Sequence, residues 1–157
     1  MSTAASGPVA GTCALADEDW RVLSALMQNI RDLCLLEGAL ERDCSRCMDE
    51  TLSHCMTLLM DQCARMLLLM LEHFEREQDI MAALPRSRQV LDHCARHREA
   101  HVEFTTRYNK TVATLDVRHV AQASAVLEAF VHDWMQRHAQ EYDRQLALLR
   151  QAAAAAM

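Results

Sequence analysis

The sequence predicts an all-α protein, an up-down-up-down four-helix bundle with long helices, and three observations predict it. Helix formers dominate: Ala, Leu, Met, Arg, Glu and Gln are abundant, β-branched residues are few, and only three Gly and two Pro interrupt 157 residues. Apolar residues recur at alternating steps of four and three along the long segments, which gathers them on one helical face. Just over half the residues are apolar (51%), enough to fill the interior that such faces would share.

Residues 1–15, rich in Ala, Ser, Thr and Gly, read as a disordered N-terminal segment, residues 16–150 as the bundle, and residues 151–157 as a disordered Ala-rich tail. A first helix is expected at about 17–42, with Leu23, Leu26, Ile30, Leu33 and Leu40 on its inner face. The following turn, near Asp43 to Arg46, contains no Gly or Pro. A second helix is expected at about 46–83, where Leu52, Met56, Leu59, Cys63, Met66 and Met70 form a heptad seam. Pro85 marks the next turn, and Ser87 is a suitable N-cap for a third helix at about 87–115. Its seam runs through Val90, Cys94, His97, His101, Phe104, Tyr108 and Leu115. Asp116 is placed to cap a fourth helix at about 117–150, with Leu127, Phe130 or Val131, Trp134 and His138 facing inward.

Composition narrows the function classes. The formal net charge is −6 and the basic residues are dispersed, so no electrostatic footprint for nucleic acid is present. The longest apolar run, Met66 to Leu71, is far too short to span a membrane, and no secretory signal is expected at the N-terminus. Seven cysteines form no secreted-type framework, and reduced thiols in a cytoplasmic protein are the expectation. Cys44 and Cys47 have CxxC spacing, with Cys34 and Cys55 near the same turn. Recognised zinc-finger spacings are absent, so these thiols read as small packing residues. The Met-rich seam reads as core filler.

Polar side chains interrupt the seams at particular levels. The second-helix seam, continued, reaches His73 and Glu77, whose spacing of four puts them on one face. His97 and His101 lie on the third-helix seam at the same spacing, with His93 a further turn upstream. The fourth helix offers His138, with Asp143 five residues on. Burying an imidazole and a carboxylate without partners would cost about 2–7 kcal/mol each. A transition metal held between the helices offsets that cost, and iron is the expected ion. His54, His119 and His132 read as ordinary boundary histidines.

The same residues resemble a known family. His73-Phe74-Glu75-Arg76-Glu77, followed by Met81, resembles the HFxxE motif of the hemerythrin family with its trailing Met. His97-Arg98-Glu99-Ala100-His101 followed by Phe104 is similar to the family's HxxxHxxF motif, and Trp134-Met135-Gln136-Arg137-His138 with Asp143 is similar to WLxxHxxxxD. The three stand in the family's order. The resemblance implies a hemerythrin-like bundle with two irons per chain, bridged by a Glu, an Asp and an oxo or hydroxo group. It implies binding of dioxygen, or of peroxide or nitric oxide, for carriage, storage or sensing. Glu77 and Asp143 would then bridge the irons, His138 and two third-helix histidines would bind one, and His73 the other. In plain helix geometry the five-residue step turns Asp143 off the His138 face, so Asp143 rests on the resemblance, and Glu141 is what geometry alone offers.

Two departures stay open. Loop length favours His93 with His97 as the third-helix pair, whereas seam phase and Phe104 favour His97 with His101. The family's first-helix histidine is replaced by Trp in Asp17-Glu18-Asp19-Trp20. Either Asp19 or Glu18 supplies an oxygen ligand there, or one iron is unusually open, or a single metal binds. A di-iron enzyme reducing oxygen, peroxide or nitric oxide is one alternative function. A metal-free interaction module is another, binding a protein partner or itself through the extended end of the first two helices.

Overall fold

The computed structural model describes residues 21, 24, 25, 28, 49–116 and 119–156. Among them the regular elements are all helical: α1 (Asp49–Ala83), α2 (Arg88–Ala113), α3 (Val120–His138), a π-helical turn (Ala139–Asp143) and α4 (Arg144–Ala155). The last three follow one another without a break, so the described residues form three rods. Of the expected first helix, Arg21, Ser24, Ala25 and Gln28 are described and helical. Its remaining positions, Asp19 and Trp20 included, lie outside the described residues, as do residues 1–15, the turn near Asp43 to Arg46, and Cys34, Cys44 and Cys47.

Local chemistry sets the boundaries. Ser87 caps α2, its Oγ accepting a hydrogen bond from the Val90 N–H at 3.3 Å. α3 starts at Val120, later than the expected 117, because Asp116 does not hold the cap position. His119 holds it, and its N–H donates to the Asp116 carbonyl at 3.0 Å while its Nδ1 lies 2.7 Å from Asp116 Oδ2. At the far end α4 continues through Ala155, past residue 150, as a run of the strongest helix former allows.

The rods alternate in direction. The Tyr108 hydroxyl donates to the Cys63 carbonyl at 2.8 Å, Phe74 meets Phe104 at 5.6 Å between ring centres, and Leu84 shares a cluster with Val90. Positions rising along α1 therefore face positions falling along α2. Phe104 meets Trp134 at 4.6 Å, whereas Cys94 shares a cluster with Leu146, so α3 runs antiparallel to α2 in turn.

The seams face the shared interior. Leu59, Cys63, Met66, Met70, His73 and Glu77 of α1 are all buried, as are Val90, Cys94, His97, His101, Phe104 and Tyr108 of α2. Leu115 is half-buried, and on α3 Val131 is fully buried while Phe130 is not. Met56, expected on the α1 seam, is 37% exposed; the described helices cover that seam from Leu59 onward. The apolar interior falls into two clusters. The larger includes Met66, Met70, Phe74, Phe104, Leu127, Val131 and Trp134, and the smaller is built on Met81, Leu84, Val90, Cys94 and Leu146. Between Phe74 and Met81, between Cys94 and Phe104, and between Trp134 and Leu146, each rod carries buried polar residues at one common level. No helix among the described residues is long and apolar enough to cross a membrane.

Phe104 is the hub of the larger cluster, fully buried with Phe74, Tyr108, Phe130 and Trp134 around it. Phe104→Ala is expected to lower the unfolding free energy by about 3–5 kcal/mol. Urea denaturation of the metal-free protein checks this, and a loss below about 1 kcal/mol would contradict the assignment of Phe104 to a packed core.

Candidate metal centre

The polar level is built around one carboxylate oxygen. Glu77 Oε2 lies 3.1 Å from His101 Nε2, 3.2 Å from His73 Nε2, 3.3 Å from His97 Nε2 and 3.5 Å from His138 Nε2. The imidazoles also crowd one another, with His138 Nε2 2.9 Å from His97 Nε2 and 3.3 Å from His101 Nε2. Asp143 Oδ1 completes the group, 3.1 Å from His138 Nε2 and 3.6 Å from His97 Nε2. All six residues are at least nineteen-twentieths buried.

Hydrogen bonding alone does not account for this arrangement. A neutral imidazole carries one N–H, so two facing Nε2 atoms need one donor and one acceptor, and a single carboxylate oxygen does not serve four donors well. Asp143 stands at hydrogen-bond distance from His138, yet neither of its oxygens is aligned with a donor. Such atoms converge on common points rather than on one another. A metal bound at about 2.0–2.2 Å holds neighbouring donors about 2.8–3.6 Å apart, and every spacing given above falls in that interval. Two overlapping donor groups result: Glu77, His97, His101 and His138, and His73, Glu77, His138 and Asp143. Glu77 and His138 belong to both.

Of the two pairings on this helix, His97 with His101 is the one that meets Glu77. His93 lies one turn before His97, buried, with its ring centre 5.5 Å from that of His97 and outside both donor groups. His119 and His132 also stand outside them, as expected of ordinary histidines.

The π-helical turn explains Asp143. Five residues along an α-helix advance about 500°, leaving a side chain about 140° out of phase. Between His138 and Asp143 the backbone instead widens, and the Arg144 N–H donates to the Ala139 carbonyl five residues back. This extra residue per turn brings Asp143 under His138, while Glu141, the residue in phase for a regular helix, is exposed. The five-residue spacing was the sequence signal for the turn.

Aromatic planes fix the imidazoles. Phe74 stacks on His101 at 3.9 Å and 11°, and Trp134 stacks on His138 at 4.2 Å and 18°. Tyr142, which no pattern in the sequence singled out, stacks on His97 at 5.2 Å and 28°. The buried Nδ1 atoms of His97, His101 and His138 have no hydrogen-bond partner among the described residues. Stacking thus takes the orienting role that outer-shell hydrogen bonds usually fill at metal sites.

Electrostatics follow from burial and crowding. Burial pushes the Glu77 carboxyl up, but the surrounding imidazoles of His101, His138, His73 and His97 outweigh it and hold the group well below the usual carboxylate range. Asp143 is raised, by burial and by the nearby Glu77 charge. Burial pulls the His101 imidazole down to about 4 despite its bond to Glu77. Burial acts the same way on His138, yet the Asp143 and Glu77 carboxylates raise it overall. Cys63 and Cys94 are buried free thiols, raised by burial, and neither belongs to a donor group, so the donors are nitrogen and oxygen only.

Comparison of the chain with protein-family models, with curated proteins and with solved structures finds no match. Among the described residues, fold and site together define an all-helical architecture with a buried His/Glu/Asp cluster that could hold a metal ion.

Two outcomes test the geometry. In metal-free protein the His101 imidazole is expected to titrate near pH 4, which NMR checks. The unfolded imidazole titrates near 6.5, so the folded state resists protonation, and this group's share of stability is lost as pH falls from 6.5 towards 4. A His101 midpoint at or above 6.5 would refute the buried placement. Deleting exposed Gln140 shortens the step from His138 to Asp143 to four residues, which a regular α-helix keeps on one face, about 40° apart. The shortened chain is expected to keep its helical circular dichroism and to bind cobalt(II) more tightly than Asp143→Ala does.

Proposed function

We propose that this chain is a non-heme iron protein that binds dioxygen, or a related small ligand such as peroxide or nitric oxide, through two irons held by His73, Glu77, His97, His101, His138 and Asp143. One observation carries the reading: a buried Glu77 oxygen within 3.1–3.5 Å of four imidazole nitrogens. The donor chemistry supports iron, because imidazole and carboxylate without thiolate suit a borderline cation of high coordination number. Six converging donors also exceed the four of a closed structural zinc site. The two overlapping groups support a pair of ions, with Glu77 as a residue that both would share. The resemblance of the three sequence motifs to the hemerythrin family supports the same reading.

Bound iron supplies a redox-active Lewis acid with room for a small ligand. The protein's own groups do the rest. Glu77, held ionised, balances cationic charge at the centre. Phe74, Phe104, Trp134 and Met81 keep water from the donors. His73 is the one imidazole that belongs only to the second group, which leaves that side poorer in nitrogen and the natural place for an incoming ligand. The free, buried Cys63 and Cys94 thiols fit a reducing cytoplasmic setting.

Anaerobic loading with ferrous iron, elemental analysis and absorption spectroscopy test the reading. Iron uptake near two per chain is expected, with near-ultraviolet and visible charge-transfer bands appearing on exposure to air. Glu77→Ala is expected to retain less than one iron per chain. Parent protein that takes up no iron under these conditions would sink the proposal.

A further inference from the structure

The six donor residues are each at least nineteen-twentieths buried. An ion or small ligand coming from solvent therefore reaches them only when a covering side chain moves aside. Three aromatic rings lie flat against the imidazoles, and they are not held alike. Phe74 is buried and meets Phe104 at 5.6 Å and Trp134 at 5.7 Å. Trp134 is buried too, with Phe104 at 4.6 Å. Moving either ring would open the larger apolar cluster, to which both belong.

Tyr142 differs in exposure, neighbours and backbone. It is half-buried, so of the three rings it alone reaches the surface. Its ring neighbours among the described residues are the imidazoles of His93, His97 and His138, at 6.4, 5.2 and 5.3 Å, and it belongs to neither apolar cluster. Its stack on His97, at 5.2 Å and 28°, is looser than that of Phe74 on His101 or of Trp134 on His138. It also stands on the π-helical turn, a backbone form that recurs at functional sites. Few buried apolar contacts mark the parts of a fold that open most readily.

The groups behind the ring suit the passage of polar species. His93 is buried, its Nε2 has no hydrogen-bond partner, and its ring lies beside those of both Tyr142 and His97. An unpaired nitrogen there costs stability that an apolar side chain would not. It can instead serve as a hydrogen-bonding group for a hydrated ion or a peroxide on its way inward. Asp143, the next residue after Tyr142, is itself a donor and lies 3.1 Å from His138, so a molecule that passes Tyr142 arrives at two members of the second donor group.

We infer that Tyr142 controls entry to the centre: its ring swings off His97 to admit ions and small ligands, and closes again behind them. The inference rests on the iron-binding reading for what enters. It separates cleanly from a role in orienting His97 alone. Loss of an orienting ring leaves capture unchanged or slower and speeds release. Loss of a ring that blocks the way speeds both.

The test uses cobalt(II) as probe, mixed anaerobically with the metal-free full chain in a stopped-flow instrument and followed by visible absorption. Release is followed into excess EDTA. Tyr142→Ala is expected to raise the uptake rate by about tenfold or more, and the release rate with it. Tyr142→Leu, which keeps an apolar contact with the imidazoles, should fall between this variant and the parent. Tyr142→Phe keeps the ring and should take up cobalt at the parent's rate. Phe74→Leu loosens a ring that also lies on a donor, and should speed release but not uptake. Uptake by Tyr142→Ala and Tyr142→Leu no faster than the parent's would overturn the inference and leave the metal reading intact. Uptake accelerated as much by Phe74→Leu would also overturn it, by placing the entrance elsewhere. Parent protein that takes up no cobalt would remove the metal reading itself, and this inference with it.

Discussion

A single carboxylate oxygen ringed by imidazole nitrogens, in a buried interior, governs this structure. Glu77 Oε2 cannot be surrounded by four Nε2 atoms unless three rods present their faces at one level. The seam on α1, the seam on α2 and the widened turn after α3 are each in phase with that requirement. The apolar residues above and below follow the same phases, which is why the core divides into two clusters with the polar level between them. Polar groups in such a place are tolerated only when something compensates their lost hydration, and the donor spacings are those of atoms arranged about a cation.

Much of this was legible in the residue order, for a physical reason. Burial forces a periodic pattern, and a helix repeats every 3.6 residues. The α1 seam from Leu59 to Glu77 and the α2 seam from Val90 to Tyr108 therefore appear in the sequence as written, histidines included. The Pro85 turn and the Ser87 cap were legible because both act through local backbone chemistry. Periodicity also said that His73, Glu77, His97 and His101 share an interior, since each falls where packing calls for an apolar side chain.

What periodicity could not supply marks its assumption. It takes the backbone as uniformly α-helical, so it turned Asp143 away and offered Glu141, which is exposed. The hydrogen bond from Arg144 to Ala139 departs from the α-helical repeat on which seam periodicity depends. Tyr142 escaped notice for the same reason, since its contact with His97 exists only through that widened turn. The start of α3 depended on how His119 and Asp116 satisfy each other, a competition between two polar residues that spacing does not rank. Met56 was assigned to the seam by step alone, and whether a seam position is covered depends on its neighbours' reach rather than on its own phase.

The stacked rings have a thermodynamic consequence. An imidazole free to turn about its last torsion must be frozen when it meets an ion, and each such loss of freedom weakens association. Here Phe74, Trp134 and Tyr142 lie flat against three of the rings before any ion arrives. Their orientational entropy is surrendered during folding, as part of closing the core, and not at the moment of capture. Any affinity of this centre for an ion would therefore be tied to core integrity: a substitution that loosens these aromatic planes would weaken ion capture without touching a single donor residue.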